Sequence, residues 1–151
     1  MMDINDIKNH INNKSRLIGV DMGSKRVGLS ISDENRKIAT PLKTINYDNI
    51  QILADELKRI ANENNVHAII FGNPKNMDGT EGSSSQSVKD KVKLISEKIQ
   101  IPIFLWDERL STVGAFNLSS ELDINVSKRV KNIDKNAAAF ILQGVLDLLN
   151  N

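Results

Sequence analysis

Leu17-Ile18-Gly19-Val20-Asp21-Met22-Gly23-Ser24-Lys25-Arg26-Val27-Gly28-Leu29-Ser30-Ile31-Ser32 is the stretch whose reading decides the fold of this chain. The apolar run 17–20 closes on Asp21-Met22-Gly23 and predicts a buried strand. Val27, Leu29 and Ile31 then alternate with Gly28, Ser30 and Ser32, which predicts a second strand with one face of small residues. The polar Gly-Ser-Lys-Arg between them reads as the turn of a hairpin.

Working outward, Asp33 to Arg36 is a turn, and Ile38 to Ile45 is a third, edge-like strand containing Pro41. Ile50, Leu53, Ala54, Leu57, Ile60 and Ala61 follow helical spacing until Asn62 to Asn65 end the helix. Ala68 to Phe71 is a buried strand that runs into Gly72 to Gly79, a loop dense in turn residues. Ser83 to Ser85 and Ser87 lead into a helix marked by Val88, Val92, Ile95 and Ile99. Ile103 to Trp106 is a fifth strand, closing on Asp107-Glu108-Arg109. Residues 112–123 are read as helical and 124–133 as basic and irregular. Ala138, Ile141, Leu142, Val145, Leu148 and Leu149 mark the last amphipathic helix. At the other end, residues 1–15 are polar, with Ile4, Ile7 and Ile11 as one weak stripe, and are expected to form a flexible extension. Residues 16–151 then make one domain of order β-β-β-α-β-α-β-α, an α/β fold with a mixed five-stranded sheet and helices on both faces. Sites in such sheets form at the carboxyl ends of parallel strands. Asp21, the 72–79 loop and Asp107-Glu108 all stand where strands end.

Composition narrows the chemistry. A chain of 151 residues suits one domain. Cysteine is absent, which excludes disulfides, thiolate nucleophiles and Cys-ligated zinc. Only His10 and His67 are present, too few for histidine-rich metal sites. With aromatics at 4%, platforms for stacking bases are a poor expectation. Net charge is +1, so the molecule has no global field to attract nucleic acid or anionic lipid, and any such binding needs a local basic patch. No apolar run approaches the ~20 residues of a membrane span, and the start lacks the apolar core of a signal peptide. The expectation is a cytoplasmic protein with no membrane partner.

Carboxylates therefore carry the chemistry. Asp21, Asp107 or Glu108, and Asp134 can meet if their strands adjoin, and acidic groups in one place repel unless a cation neutralises them. Hard oxygen donors select Mg²⁺ or Mn²⁺, the ions that support phosphodiester hydrolysis. The plainer readings are that Asp after a strand is a turn residue and that Asp134 is the N-cap of the last helix. Asp21-Met22-Gly23-Ser24 also fits a phosphate hairpin of the kind in actin-like ATPases, but those enzymes need a second lobe for which the chain has no room. The 72–82 loop lacks the Gly-Lys-[Ser/Thr] of a Walker A motif. Lys128, Arg129, Lys131 and Lys135 form the one dense basic segment, flanking Asp134, and suit a polyanion held against metal ions. Phe104 and Trp106 are expected in the core, His67 in a structural role, and Gly144 at a close approach of the last helix to the sheet.

Four blocks in order give a resemblance. They are Asp21-Met22-Gly23-Ser24-Lys25-Arg26-Val27-Gly28, Gly72-Asn73-Pro74-Lys75-Asn76-Met77-Asp78-Gly79-Thr80, Asp107-Glu108-Arg109-Leu110-Ser111-Thr112, and Ile133-Asp134-Lys135-Asn136-Ala137-Ala138 with Ile141-Leu142-Gln143. Together they resemble the YqgF family, also called RuvX or Holliday-junction-resolvase-like proteins. The resemblance spans about residues 16–149 and implies an RNase H-like fold. It implies a metal-dependent nuclease that processes the 5′ end of the 16S rRNA precursor in ribosome biogenesis, with the precursor or a pre-ribosomal particle as partner. The older alternative is a resolvase of branched DNA, and a third is a non-catalytic assembly or transcription factor on a nuclease fold. Asp21 and Asp134 match the family's first and last acidic positions. The middle ligand falls in Asp107-Glu108, with Glu108 favoured. Lys25, Arg26, Arg109, Lys128, Arg129 and Lys131 would position backbone phosphates. Lys131 stands where many members have glycine.

Overall fold

The structure is a computed structural model that describes residues 4–11, 15–74, 78, 80–108 and 126–150, excluding the side chains of Asn5 and of residues 126–135. After a 3-10 helix, Ile4–Asn9, come β1 (Arg16–Met22), β2 (Arg26–Ser32), β3 (Ala39–Asn46), α1 (Ile50–Glu63), β4 (Val66–Asn73), α2 (Ser83–Ser96), β5 (Ile103–Asp107) and α3 (Val126–Leu149). The sheet order is β3-β2-β1-β4-β5. Short turns join β1, β2 and β3, so they pair antiparallel. Helices intervene before β4 and β5, so β1, β4 and β5 run parallel, as crossovers require. This is the mixed five-stranded sheet that the sequence predicts.

Strand alternation sorts the molecule into two cores. Ile18 and Val20 of β1, Ile69 and Phe71 of β4 and Ile103 of β5 face α1 and α2, where they pack with Leu53, Leu57, Val88 and Val92. Leu17 of β1, Ala68 and Ile70 of β4 and Phe104 and Trp106 of β5 face the other way, against Ile141, Leu142, Val145 and Leu146 of α3. β1, β4 and β5 thus have apolar residues on both faces, as strands covered on both sides must. The Asn49 side chain accepts from the Ile52 N–H at 2.9 Å and caps α1.

α3 lies close on its face because the sheet beneath it is small. A Cβ on Gly19 would lie 2.8 Å from the Ala138 carbonyl oxygen and 2.8 Å from the Leu142 Cβ. Ser30 next to it donates its hydroxyl to that same carbonyl at 2.7 Å. Gly144 faces the Trp106 indole, which a Cβ would approach to 3.0 Å, so the close approach expected of this glycine is made to a sheet side chain. At its far end, the Asn150 side chain donates to the Arg36 carbonyl at 2.8 Å, in the β2–β3 turn beside the start of β1. α3 therefore runs opposite to β1, and its first half is directed toward the carboxyl ends of β1, β4 and β5.

Two expectations are corrected. Residues 126–133 are helical rather than irregular, because α3 begins at Val126. In the sequence, Val126, Val130, Ile133 and Ala137 keep the helical spacing of the apolar residues that follow. The N-terminal segment, expected to be flexible, is packed over its described part. Ile7 is 1% exposed and joins Phe104 and Trp106 in the α3-side core, with Ile4 and Ile11 beside it. Ile4, Ile7 and Ile11 thus spend their apolar surface on a ready-made core. The helix expected over 112–123 lies outside the described residues. Among the described residues, no helix is long and apolar enough to cross a membrane.

Candidate active site at the carboxyl edge of the sheet

Parity decides which carboxylates can meet. Asp21 is two residues beyond Gly19 on β1 and Glu108 two beyond Trp106 on β5, so both continue the rows that face α3. Asp107 continues the opposite row with Ile103 and Leu105. The register pairs Val20 with Phe71 and Gly72 with Trp106, so β4 presents Gly72 between the two acidic strand ends. A Cβ built on Gly72 would lie 2.5 Å from Glu108 Oε1 and 2.8 Å from its Cγ. The Glu108 side chain thus lies over the glycine, and its carboxyl shares a hydrogen bond with that of Asp21.

The electrostatics of this pair are those of two acids held together. Burial pushes the Glu108 carboxyl up to about 8, reinforced by the charge of Asp21, by its hydrogen bond to Asp21 and by the charge of Asp107. Two carboxylates brought together from the ends of separate strands make a hard-oxygen site whose charge a divalent cation can neutralise. Asp21 and Glu108 therefore fit a metal of the Mg²⁺ or Mn²⁺ type. Among the described residues, no three acidic or histidine side chains gather as a metal cluster. Position 134 lies within α3, one turn before Ala138, in the half directed at this edge. Its side chain is outside the described residues, but its place nine residues into the helix removes the N-cap reading.

The cations divide in the same way. Lys25 and Arg26 are exposed on the β1–β2 hairpin, at the edge where β1 ends just past Asp21. The hairpin is tied by Gly23 N–H to the Arg26 carbonyl at 2.8 Å and by the Tyr47 hydroxyl to the Gly23 carbonyl at 2.9 Å. Arg109 lies outside the described residues, as do the side chains of Lys128, Arg129 and Lys131, although the last three positions are in α3, which passes through 131 without a break.

Sequence reasoning missed the other wall. A cavity of about 460 Å³ opens beside Glu108 between the hairpin and the start of α2, lined by Ser24, Ser83, Ser84, Ser87 and Lys91 among others. The Lys91 ammonium stands 6.0 Å from the centroid of the Tyr47 ring. Buried Ser85 donates to the Asn73 side chain at 2.5 Å and pins α2 to the end of β4. A run of serines at a helix start reads as capping, and only the register of β4 against α2 could have shown that it walls a cavity.

Compared with known proteins, residues 15–148 match the RuvX family, described as Holliday junction resolvase. A protein of Pelagibacter ubique is 63% identical over all of both chains and bears the name "Putative pre-16S rRNA nuclease". One of Methylocella silvestris, with the same name, is 40% identical over 99% of this chain and 92% of its own. Among solved structures, Thermus thermophilus RuvC in complex with Holliday junction substrate superposes with a TM-score of 0.53 at 10% identity, covering 89% of this chain and 96% of RuvC. The fowlpox virus resolvase bound to Holliday junction DNA gives 0.52 at 12% identity, covering 90% and 99%. These likenesses show the RNase H-like fold that the sequence resemblance implies.

Proposed function

The chain belongs to the RuvX family, and on that premise we propose that it is a metal-dependent nuclease that trims the 5′ end of the 16S rRNA precursor. The observation that carries this reading is the meeting of Asp21 and Glu108 across Gly72 at the carboxyl edge of the parallel strands. Asp21 and Glu108, with Asp134 from α3, would hold Mg²⁺ or Mn²⁺. When bound, such an ion supplies Lewis acidity to phosphodiester hydrolysis, activating water and neutralising charge on the leaving oxygen. Lys25 and Arg26 on the hairpin, and Arg109, Lys128, Arg129 and Lys131, would hold backbone phosphates. The cavity beside Glu108 offers hydroxyls and the Lys91 ammonium to the strand next to the cut.

The names of the close relatives favour the rRNA precursor as substrate, and the site's chemistry accepts any phosphodiester. The test incubates the protein with a 16S precursor carrying its 5′ leader and, in parallel, with a four-way DNA junction, in Mg²⁺, Mn²⁺ or EDTA. Metal-dependent cleavage of the precursor is expected. Selective cutting of the junction would transfer the reading to a resolvase, which needs two symmetric active sites and hence a dimer. Binding without any cutting, with ribosomal particles also supplied, would leave an assembly factor on a nuclease fold.

A further inference from the structure

We propose that Gly72 is a positioning residue for the carboxylate pair: its missing side chain is the space through which Glu108 crosses β4 to reach Asp21. The inference rests on Glu108 belonging to the proposed site. Asp21 lies on β1 and Glu108 directly follows β5, and the two strands are not neighbours, because β4 lies between them. At the level of Asp21, the residue of β4 facing α3 is Gly72. Any larger residue there would stand between the two acids, since its Cβ would fall 2.5 Å from Glu108 Oε1 and 2.8 Å from Cγ. Real Cβ atoms do not come so close, so the Glu108 side chain would have to shift from its place over residue 72. Its carboxyl would lose the Asp21 hydrogen bond. Glycine at this position therefore sets the spacing of the acids, which turn chemistry alone would not require.

The same Cβ would also meet the Ile141 Cδ1 at 2.6 Å, so Gly72→Ala alone confounds a displaced carboxylate with a crowded core. Ile141→Val deletes that carbon and separates the two effects. Ile141→Val alone should bind Mn²⁺ within about twofold of the wild type, because a buried methyl trim leaves the acids in place. Gly72→Ala should lower Tm, and adding Ile141→Val should recover part of that loss. The double variant should nevertheless bind Mn²⁺ about 10–100-fold more weakly in a calorimetric titration. Its kcat for precursor cleavage should fall by a comparable factor, with KM for the RNA nearly unchanged. A crystal structure of the metal-free double variant should show the Glu108 carboxyl turned away from Asp21. Wild-type Mn²⁺ affinity in the double variant, or an intact Asp21–Glu108 hydrogen bond in its crystal structure, would overturn the role. Absence of cleavage by the wild-type protein would count against the nuclease reading alone, because the crystal structure decides the role of Gly72 without it.

Discussion

Glu108 gives the site a pH signature of its own. Its carboxyl is held up to about 8 in the metal-free fold, by burial first and then by Asp21, against an ordinary 4.5. Between those values the folded state keeps a proton that the unfolded chain releases, so stability falls as pH rises. The contribution is complete below about pH 4.5 and lost as pH passes about 8. Metal-free protein should thus lose on the order of 1–3 kcal/mol between pH 5.5 and 9 from this group, after allowance for its partial solvation. Urea unfolding of wild type and Glu108→Gln checks it: the variant should show the flatter profile and be the more stable of the two at pH 9. An equally steep profile in the variant would place the effect elsewhere. Mn²⁺ competes with that proton, so its affinity should rise over the same interval. Which of Asp107 and Glu108 joins Asp21 was open in the sequence because strand parity has no absolute sign. Phe104-Trp106-Glu108 and Ile103-Leu105-Asp107 are both apolar rows ending in an acid, and only their packing against α3 or α1 and α2 tells them apart.

Among the elements, α3 depends most on the small residues beneath it. Gly19→Ala would drive a Cβ to 2.8 Å from a helix carbonyl, which cannot move aside as a flexible side chain can. The expected cost is about 1–3 kcal/mol in denaturant unfolding, with weaker cleavage because α3 also carries position 134. Ser30→Ala removes only the hydroxyl donated to Ala138 and should cost about 1 kcal/mol. A Gly19→Ala protein as stable as the wild type would show that α3 does not sit so close. All five strands and the helices α1 and α2 were legible, the strands from runs or alternation bounded by turn residues and the helices from the spacing of their apolar residues. The start of α3 was not. Lys128, Arg129 and Lys131 dominate its first turns and hide the stripe of Val126, Val130 and Ile133. The small face of β2, Gly28-Ser30-Ser32, was legible as such, and its meeting with α3 through Ser30 was not.

On the scale of the whole molecule, a net charge of +1 leaves nucleic-acid binding to a few placed cations rather than to a general field. Lys25→Gln with Arg26→Gln should therefore lower the slope of log affinity against log salt by about 1.4 for single-stranded RNA, two contacts at about 0.7 each. An unchanged slope would put the RNA elsewhere. The N-terminal segment belongs to the same whole: Ile7→Ala should cost about 2 kcal/mol, since Ile7 is 1% exposed against Phe104 and Trp106. That packing was illegible beforehand because three isoleucines in a polar stretch acquire a partner only once the α3-side core exists. The central claim is that carboxylates at one sheet edge cut a phosphodiester. Cleavage and binding of the 16S precursor by Asp21→Asn test it most directly, compared with wild type in Mn²⁺. Removing one of two repelling acids should leave the fold intact and RNA affinity within a fewfold, while cleavage falls to background. Cleavage by Asp21→Asn at the wild-type rate would contradict it.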